Sequence, residues 1–476
     1  MLLTKKLRLW LFIGLLVGAP LSKYPSLSNP AYNFTSFRFG LYQVLAVLFV
    51  LACAWPTIKK LKDLYTQNKI VFISGIVLLA IIIAGVMFAI DKQRGWLMGV
   101  SFISLLVLVA TAWWYVRFEI PKNRLKLIAR LFLSAGIVYG LLAIAEFFVL
   151  TLTSASSGIV CNGCYSGIFG FPRINLLAAE PLFLANAMLP FFFVSLGWFY
   201  KNKSKLALYC LILSAIAISL TFSRGAYVAI AVGLVFYVVL LASAKMAAFR
   251  GITMVVAIIF AAFALGWLLL IWSASYKYAS TPNIAYNTAS TMLDHMSLGK
   301  IKLPPKVVPQ PATPANVFVS PGLIQASTQE RTGAAELALN SWSSNFKTAA
   351  VGVGAGNLGP FTNKYVAPSA PSNLTVYIYY ILLLAETGAI GLAAFGLIYI
   401  GGLAQFIKRY FKDNNWCIYA AVGSLIIAFL VQYWFFGTFI NTLYIWLWSG
   451  IILGLSGASW PKRRYNSKKG SYLDEK

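Results

Sequence analysis

Long apolar runs alternate with short polar connections along this chain. Several runs exceed the roughly 18 apolar residues that are typical of a membrane-spanning helix. The pattern predicts an all-α polytopic membrane protein with about twelve transmembrane helices. The predicted spans are approximately 7–22, 38–56, 70–90, 96–116, 131–152, 181–200, 206–222, 226–244, 252–274, 388–407, 416–436 and 439–458.

The composition agrees with this class. Of the 476 residues, 60% are hydrophobic and only 11% are charged. Soluble domains are typically about half apolar and a quarter charged. An ordinary soluble domain is therefore excluded.

The distribution of basic residues predicts the orientation in the membrane. A net charge of +27 would suggest a nucleic-acid partner if Lys and Arg formed one basic face. They lie instead in short clusters between the apolar runs, which is typical of cytoplasmic loops. This places both termini in the cytoplasm and excludes nucleic acid as a partner. The first span could be mistaken for a signal peptide, but its removal would invert the charge pattern, so we expect it to be retained.

The spans divide the chain into three predicted parts. Residues 1–274 carry the first nine helices, residues 275–373 form a long extracytoplasmic loop, and residues 374–476 carry a half-helix, the last three helices and a basic cytoplasmic tail. A loop of this length is usually functional or disordered. Its first half is rich in Pro, Ser and Thr, so we expect it to be loosely ordered and His295 to be solvated. The later stretch "TQERTGAAELALNSW" predicts a short helix on the membrane surface.

Two further motifs follow this predicted surface helix. The glycine-rich turn "VGVGAGNLGP" contains Gly354 and Gly356. Because no strand–helix–strand unit surrounds it, a dinucleotide site is excluded and close backbone packing over a pocket is expected. The segment "SNLTVYIYYILLLAETGAIGLAAFGLIYI" is too long for one span, and we expect the sequence from Glu386 to Gly388 to break it. Such a break is tolerated at membrane depth where it lines a cavity or is buried in protein.

The five cysteines do not form a disulfide framework. Cys53, Cys210 and Cys417 fall in or beside apolar spans and are expected to be small core residues. Cys161 and Cys164, in "CNGC", lie in a predicted outer loop, where a local disulfide or two inert thiols are favoured. A lone CxxC is only half of a zinc site, and a metal is not expected.

Three arginines are predicted on the outer side: Arg173, Arg224 and Arg331. Arg224 is the only charged residue between Lys205 and Lys245, and charges in apolar helices are costly. Each could be an interfacial anchor that reaches lipid headgroups. A planar guanidinium is also well suited to phosphate, so several arginines facing one cavity suggest a diphosphate at the membrane boundary.

The motifs in order resemble the O-antigen ligase and polymerase superfamily of bacterial membrane glycosyltransferases. The likeness covers roughly residues 160–400, through "FGFPRINLLAAEPLFLANAMLPFF", "LTFSRGAYVAI", "ERTGAAELALNSW" leading into "VGVGAGNLG", and "PSNLTVYIYYILLLAETGAIGL". It implies transfer of a glycan from a polyisoprenyl (undecaprenyl) diphosphate carrier to an acceptor hydroxyl on the outer face of the bacterial cytoplasmic membrane. The acceptor can be a glycan, a lipid or a protein, and neither cofactor nor metal is implied. Arg173, Arg224 and Arg331 match the arginines that would hold the diphosphate.

One departure from that family concerns the predicted acceptor pocket. Many ligases carry a His-Asn pair where this chain has Ser372 and Asn373, which we group with Gly354 and Gly356 as pocket residues. If a general base is needed, the outer carboxylates are the candidates, namely Glu180, Glu330 and Glu336. Ligase and polymerase both remain open.

Two other classes of protein compete with a glycosyltransferase. A transporter of lipid-linked glycans would suit twelve spans, but the chain lacks the internal symmetry typical of transporters. A structural scaffold is disfavoured by the long outer loop with its clustered Arg and Glu. Glu146, inside the fifth span, has no obvious partner and is interpreted as a hydrogen-bonding residue between helices.

Overall fold

A computed structural model gives the architecture of the protein. It describes residues 2–22, 40–153, 171–178, 180–243, 249–297, 300–301, 303, 321–372, 374, 376–411, 416–435 and 442–457.

The described residues are helical with short connections and contain no β-strand. The α-helices in chain order are α1 (Leu2–Val17), α2 (Leu41–Lys59), α3 (Leu61–Gln67), α4 (Lys69–Met87), α5 (Lys92–Trp114), α6 (Leu125–Leu152), α7 (Pro181–Asn202), α8 (Lys205–Leu220), α9 (Arg224–Ser243), α10 (Phe249–Lys277), α11 (Ile284–Met296), α12 (Pro321–Trp342), α13 (Phe346–Val351), α14 (Leu358–Tyr365), α15 (Tyr379–Tyr410), α16 (Trp416–Gln432) and α17 (Leu443–Gly457). A π-helix, Tyr115–Glu119, extends α5.

Eight helices in the described part of the chain are long and apolar enough to cross a membrane, namely α2, α4, α5 with its π-helical extension, α6, α7, α9, α10 and α15. Helices α8, α16 and α17 are apolar but shorter. The predicted all-helical membrane architecture is therefore confirmed at this level. Each predicted apolar span overlaps one of the helices given above.

Helix α7 is the centre of the bundle. Of its most apolar stretch, 83% is buried inside the protein, against 28% for α2 and for α10. Small residues allow neighbouring helices to come close. A Cβ built on Gly197 of α7 would lie 2.6 Å from the Ala421 Cβ, and one on Gly136 would lie 2.5 Å from the Cys210 Sγ.

Three cysteines belong to this helical core. Cys53, Cys210 and Cys417 are buried free thiols. Their predicted role as small core residues is confirmed.

Polar side chains fix several helix starts. The Asn68 side chain accepts a hydrogen bond from the Val71 N–H at 3.1 Å at the start of α4. The Asp91 side chain accepts one from the Arg94 N–H at 3.0 Å at the start of α5. Such caps satisfy backbone donors that the first helical turn leaves unpaired.

Helix α15 breaks at Gly388, which has φ 70° and ψ −178° inside an otherwise helical segment. Only glycine adopts this conformation readily. The glycine-rich turn closes on the break, because the Val353 N–H donates to the Ala385 carbonyl at 2.9 Å and the Gly354 N–H donates to the Glu386 carbonyl at 3.0 Å. The break is present where the sequence predicts it.

The stretch between α10 and α12 differs in part from expectation. Its first half was expected to be loosely ordered, but Ile284–Met296 forms the helix α11, with Ile284, Thr288 and Met292 buried. These residues recur every fourth position and therefore share one helix face. The expectation was wrong for this segment, while the predicted helix in "TQERTGAAELALNSW" lies within α12.

Helix α1 is packed into the bundle by an aromatic contact and an ion pair. The Phe12 ring centre lies 4.8 Å from that of Tyr115. The Arg8 Nη1 lies 2.8 Å from the Glu119 Oε2, with side-chain exposures of 10% and 12%. Residues near opposite ends of the first quarter of the chain are thus joined.

Candidate functional site

Arg224 is the first residue of α9 and follows a very short connection. Helix α8 ends at Leu220, so that Thr221, Phe222 and Ser223 form the whole link. Phe222 is fully buried and has a left-handed backbone conformation with φ 49°. The guanidinium is therefore attached to a tight turn between two helices, as the sequence predicts.

Arg173 docks on the same turn from a different part of the chain. It lies in the segment 171–178, which precedes α7. Its Nε donates a hydrogen bond to the Thr221 carbonyl at 2.8 Å. The adjacent Ile174 N–H donates to the Leu220 carbonyl at 3.5 Å. Arg173 is thus anchored to the connection that leads into Arg224.

Helix α11 covers this turn through His295. The Arg224 Nη1 donates a hydrogen bond to the His295 carbonyl at 3.2 Å. The imidazole stacks on Phe222, with ring centres 5.2 Å apart and an interplanar angle of 27°. His295 is half-buried, so the expectation that it is solvated was wrong.

Arg331 approaches from α12. Its guanidinium carbon lies 5.0 Å from the centre of the Tyr377 ring, a cation–π distance. The Tyr377 hydroxyl donates to the Glu330 Oε1 at 3.5 Å. Arg331 is half-buried and Glu330 is exposed.

The three guanidinium groups are close enough to act on one another. Burial lowers the pKa of Arg173 to about 10; Glu180 and Tyr227 oppose this shift, whereas Arg224 and Arg331 add to it. Arg224 and Arg331 also repel each other. The structure thus brings together the three arginines singled out in the sequence.

The imidazole of His295 lies within the field of all three arginines. Burial, followed by Arg224, Arg173 and Arg331, lowers the pKa of His295 to about 3. At neutral pH the ring is therefore uncharged. It adds no positive charge of its own and offers one N–H donor and one acceptor nitrogen.

Two of the three predicted carboxylates lie in this neighbourhood. Glu180, at the N-cap of α7, acts electrostatically on Arg173 and on Tyr377. Burial and then Glu330 raise the pKa of Tyr377, Arg331 lowers it, and Glu180 raises it. Glu336 is exposed on α12, five positions beyond Arg331, and helix geometry turns it to a different face.

Gly354 and Gly356 form part of the turn that closes on the α15 break. Both have left-handed φ values, +96° and +72°, and a Cβ on Gly354 would lie 2.6 Å from the Gly85 carbonyl oxygen. The backbone N–H groups of Gly356 and Leu358 lie near the carboxylate of the buried Glu386. The expected close backbone packing is present, and it surrounds a buried carboxylate.

Ser372 also lies beside this turn. Its carbonyl accepts a hydrogen bond from the Arg94 Nη1 at 2.7 Å. Asn373, the other residue of the predicted pocket pair, lies outside the described residues, as do Cys161 and Cys164.

Sequence reasoning missed His295 and Tyr377 as neighbours of the arginines. The signal for His295 was the four-residue spacing of Ile284, Thr288 and Met292, which predicts a helix with one buried face. Tyr377 carries no comparable signal, because its role comes only from the packing of α12 against the segment before α15.

The described arrangement can bind an anion. Three guanidinium groups from three segments outnumber the two neighbouring carboxylates, and guanidinium pairs readily with phosphate oxygens. Among the described residues, no group of three or more His, Cys, Asp or Glu side chains is placed to hold a metal ion. No protein-family model matches this chain, and a search of curated proteins finds no similar sequence.

Proposed function

We propose that this protein is an O-antigen ligase-like glycosyltransferase of the bacterial cytoplasmic membrane. It transfers a glycan from a polyisoprenyl diphosphate carrier, such as undecaprenyl diphosphate, to an acceptor hydroxyl on the outer face. Arg173, Arg224 and Arg331 hold the diphosphate, without a metal or cofactor.

The observation that carries this proposal is the convergence of three arginines around the turn between α8 and α9. Arg173 donates a hydrogen bond to the Thr221 carbonyl of that turn at 2.8 Å. Arg224 donates one to the His295 carbonyl of α11, which covers the turn, at 3.2 Å. Arg331 is brought in by α12. Bringing like charges together is unfavourable unless an anion compensates them.

The proposed topology has twelve spans with both termini in the cytoplasm. The eight long apolar helices, the three shorter ones and α1 supply that number. If every one crosses the membrane, alternation puts the turn before Arg224 and the start of α7 on the same, outer side. The segment from α11 to α14 then lies on that side as well.

The proposed reaction is a substitution at the anomeric carbon of the donor sugar. The acceptor oxygen forms a bond to that carbon, the bond from carbon to the diphosphate oxygen breaks, and the diphosphate leaves with the electron pair. Fixed guanidinium groups stabilise the charge that develops on it. The hydroxyl proton passes to a carboxylate, for which Glu180 and Glu330 are the nearest candidates.

The experiment is gene deletion complemented with wild-type protein or with Arg224→Ala, followed by separation of surface glycans and lipid-linked intermediates. We expect Arg224→Ala to fail in complementation and full-length lipid-linked glycan to accumulate. Accumulated single repeat units would favour the polymerase of the same superfamily. Glycan trapped on the cytoplasmic leaflet would overturn the proposal and favour a transporter.

The matched control is Lys347→Ala. Lys347 is an exposed basic residue in α13, and its Nζ lies over the Phe88 ring at 4.3 Å rather than in the arginine cluster. It should complement fully if the arginine cluster, and not positive charge in general, is required.

A further inference from the structure

Glu146 is a buried acidic residue in the apolar helix α6. Its side chain is shielded from solvent, with 5% of the residue exposed. Its Oε2 accepts a hydrogen bond from the Leu176 N–H at 2.8 Å. The sequence suggested a partner on another helix, but the partner is the backbone of the segment that carries Arg173.

The bonded residue has an unusual backbone conformation. Leu176 has φ 45°, in the left-handed region that branched and bulky residues rarely adopt. The surrounding turn is closed by the Asn175 Nδ2, which donates to the Ala178 carbonyl at 3.0 Å, and by the Ala178 N–H, which donates to the Asn175 carbonyl at 2.9 Å. The Glu146 carboxylate satisfies the N–H that this turn directs towards α6.

The same segment is anchored at its other end by the arginine site. Arg173, three residues before Leu176, donates its Nε to the Thr221 carbonyl. The side chain of Ile174 between them is fully buried. With both ends fixed and little chain between them, the backbone of Arg173 has little freedom to move.

We propose that Glu146 is a positioning residue for the diphosphate site. By accepting the Leu176 N–H it holds the segment 171–178 in the conformation that presents Arg173 to the other two arginines. A charged side chain in an apolar helix is unfavourable. The Glu146 carboxylate nevertheless supplies a strong acceptor for the buried Leu176 N–H. The inference rests on the proposed function, since it assigns a role within that same site.

The test is a double-mutant cycle in the purified full-length protein, with undecaprenyl diphosphate in nanodiscs as the probe. Glu146→Leu removes the acceptor while filling the space, and Arg173→Ala removes the guanidinium. We expect each single variant to weaken binding, Arg173→Ala by about tenfold or more, as for loss of a charge-assisted hydrogen bond. In the Arg173→Ala background, Glu146→Leu should cause no additional loss, because both act through one group.

Two further variants separate positioning from a general loss of structure. Glu146→Gln keeps an oxygen that can accept the Leu176 N–H, so its affinity should remain within about threefold of wild type. Thr151→Val is the matched control, because Thr151 is buried in the same helix but bonds to the Ser273 Oγ at 2.8 Å. It should bind the probe normally.

The outcomes distinguish the two proposals. If Arg173→Ala weakens binding but Glu146→Leu does not, or if their losses add, the positioning role is overturned and the proposed function stands. If Arg173→Ala binds the probe as wild type does, the diphosphate site itself is overturned. If Glu146→Leu does not fold, Glu146→Gln decides: a loss equal to that of Arg173→Ala contradicts a role through the hydrogen bond.

Discussion

At the scale of single residues, the shape of the Arg224 side chain should matter as well as its charge. Arg224→Lys keeps a positive charge but lacks the planar fork that can bond the His295 carbonyl and a phosphate together. We expect it to bind undecaprenyl diphosphate about tenfold more weakly than wild type, as for loss of a charge-assisted hydrogen bond. Titration of the purified protein in nanodiscs measures this, and unchanged affinity would contradict a bonded guanidinium.

His295 gives a prediction on pH at the same scale. Burial and the three arginines lower the pKa of His295 to about 3, below its ordinary value of about 6.5. The His295 imidazole is therefore protonated below about pH 6.5 in the unfolded chain, but only below about pH 3 in the folded protein. The free energy of unfolding is therefore unaffected by this group above about pH 6.5 and decreases as the pH falls below that value. The decrease is at most about 2 kcal/mol at pH 5, and solvent screening makes it smaller.

The measurement is the melting temperature of the purified protein at pH 7.5 and pH 5. His295→Phe keeps a ring against Phe222 and cannot be protonated, so it should lose less stability over this interval. Because the chain has a single histidine, no other imidazole contributes. Equal losses in both proteins would show that His295 is exposed to solvent or charged in the folded state.

At the scale of elements, the break in α15 should depend on the absence of a side chain at position 388. A Cβ on Gly388 would lie 2.2 Å from the Ala350 carbonyl oxygen, and its φ of +70° is strained for any other residue. Gly388→Ala should lower the free energy of unfolding by roughly 2–4 kcal/mol or prevent accumulation of folded protein. Thermal unfolding monitored by size-exclusion chromatography measures the change.

The same helix offers a matched control. A Cβ on Gly396 would have nothing within 4 Å, so Gly396→Ala should be neutral or slightly stabilising through helix propensity, by up to about 1 kcal/mol. If Gly388→Ala and Gly396→Ala lower the free energy of unfolding equally, then α15 as a whole, and not the break at Gly388, is sensitive to substitution.

The elements also show what a sequence can and cannot predict. Apolar length located the long helices, and the sequence from Glu386 to Gly388 located the break, because both depend on local composition. The role of Gly356 around the Glu386 carboxylate could not be predicted, since it requires two segments about thirty residues apart to be docked. The prediction that His295 is solvated was wrong for a related reason. It relied on the Pro- and Ser-rich composition of the surrounding sequence and not on the four-residue periodicity of α11.

At the scale of the whole molecule, buried polar contacts join segments that lie far apart in the sequence. The three arginines were singled out from their rarity in apolar surroundings, but only the fold shows their partners. Arg173 donates to the Thr221 carbonyl of the turn after α8, and Arg224 donates to the His295 carbonyl of α11. At the other predicted face, Arg8 and Glu119 form an ion pair across 111 positions. This pair ties α1 to the end of the α5 segment.

This ion pair should contribute strongly to the stability of the bundle. Arg8→Ala would leave the Glu119 carboxylate, 12% exposed, without its cation, which should lower the free energy of unfolding by about 3–5 kcal/mol. Replacing both residues with apolar ones, Arg8→Met with Glu119→Leu, should recover most of that loss, because no buried charge is left unpaired. Denaturation of the detergent-purified protein with increasing sodium dodecyl sulfate measures the differences.

The Lys60–Asp63 pair is the matched control within the same chain. Its atoms are 2.7 Å apart, but its side chains are 51% and 46% exposed, so Asp63→Ala should cost below about 1 kcal/mol. The contrast separates the effect of burial from that of distance, since the two ion pairs are of nearly the same length, 2.8 and 2.7 Å. An equal effect of Arg8→Ala and Asp63→Ala would mean that water reaches the Arg8–Glu119 pair and that α1 is held by its apolar contacts alone.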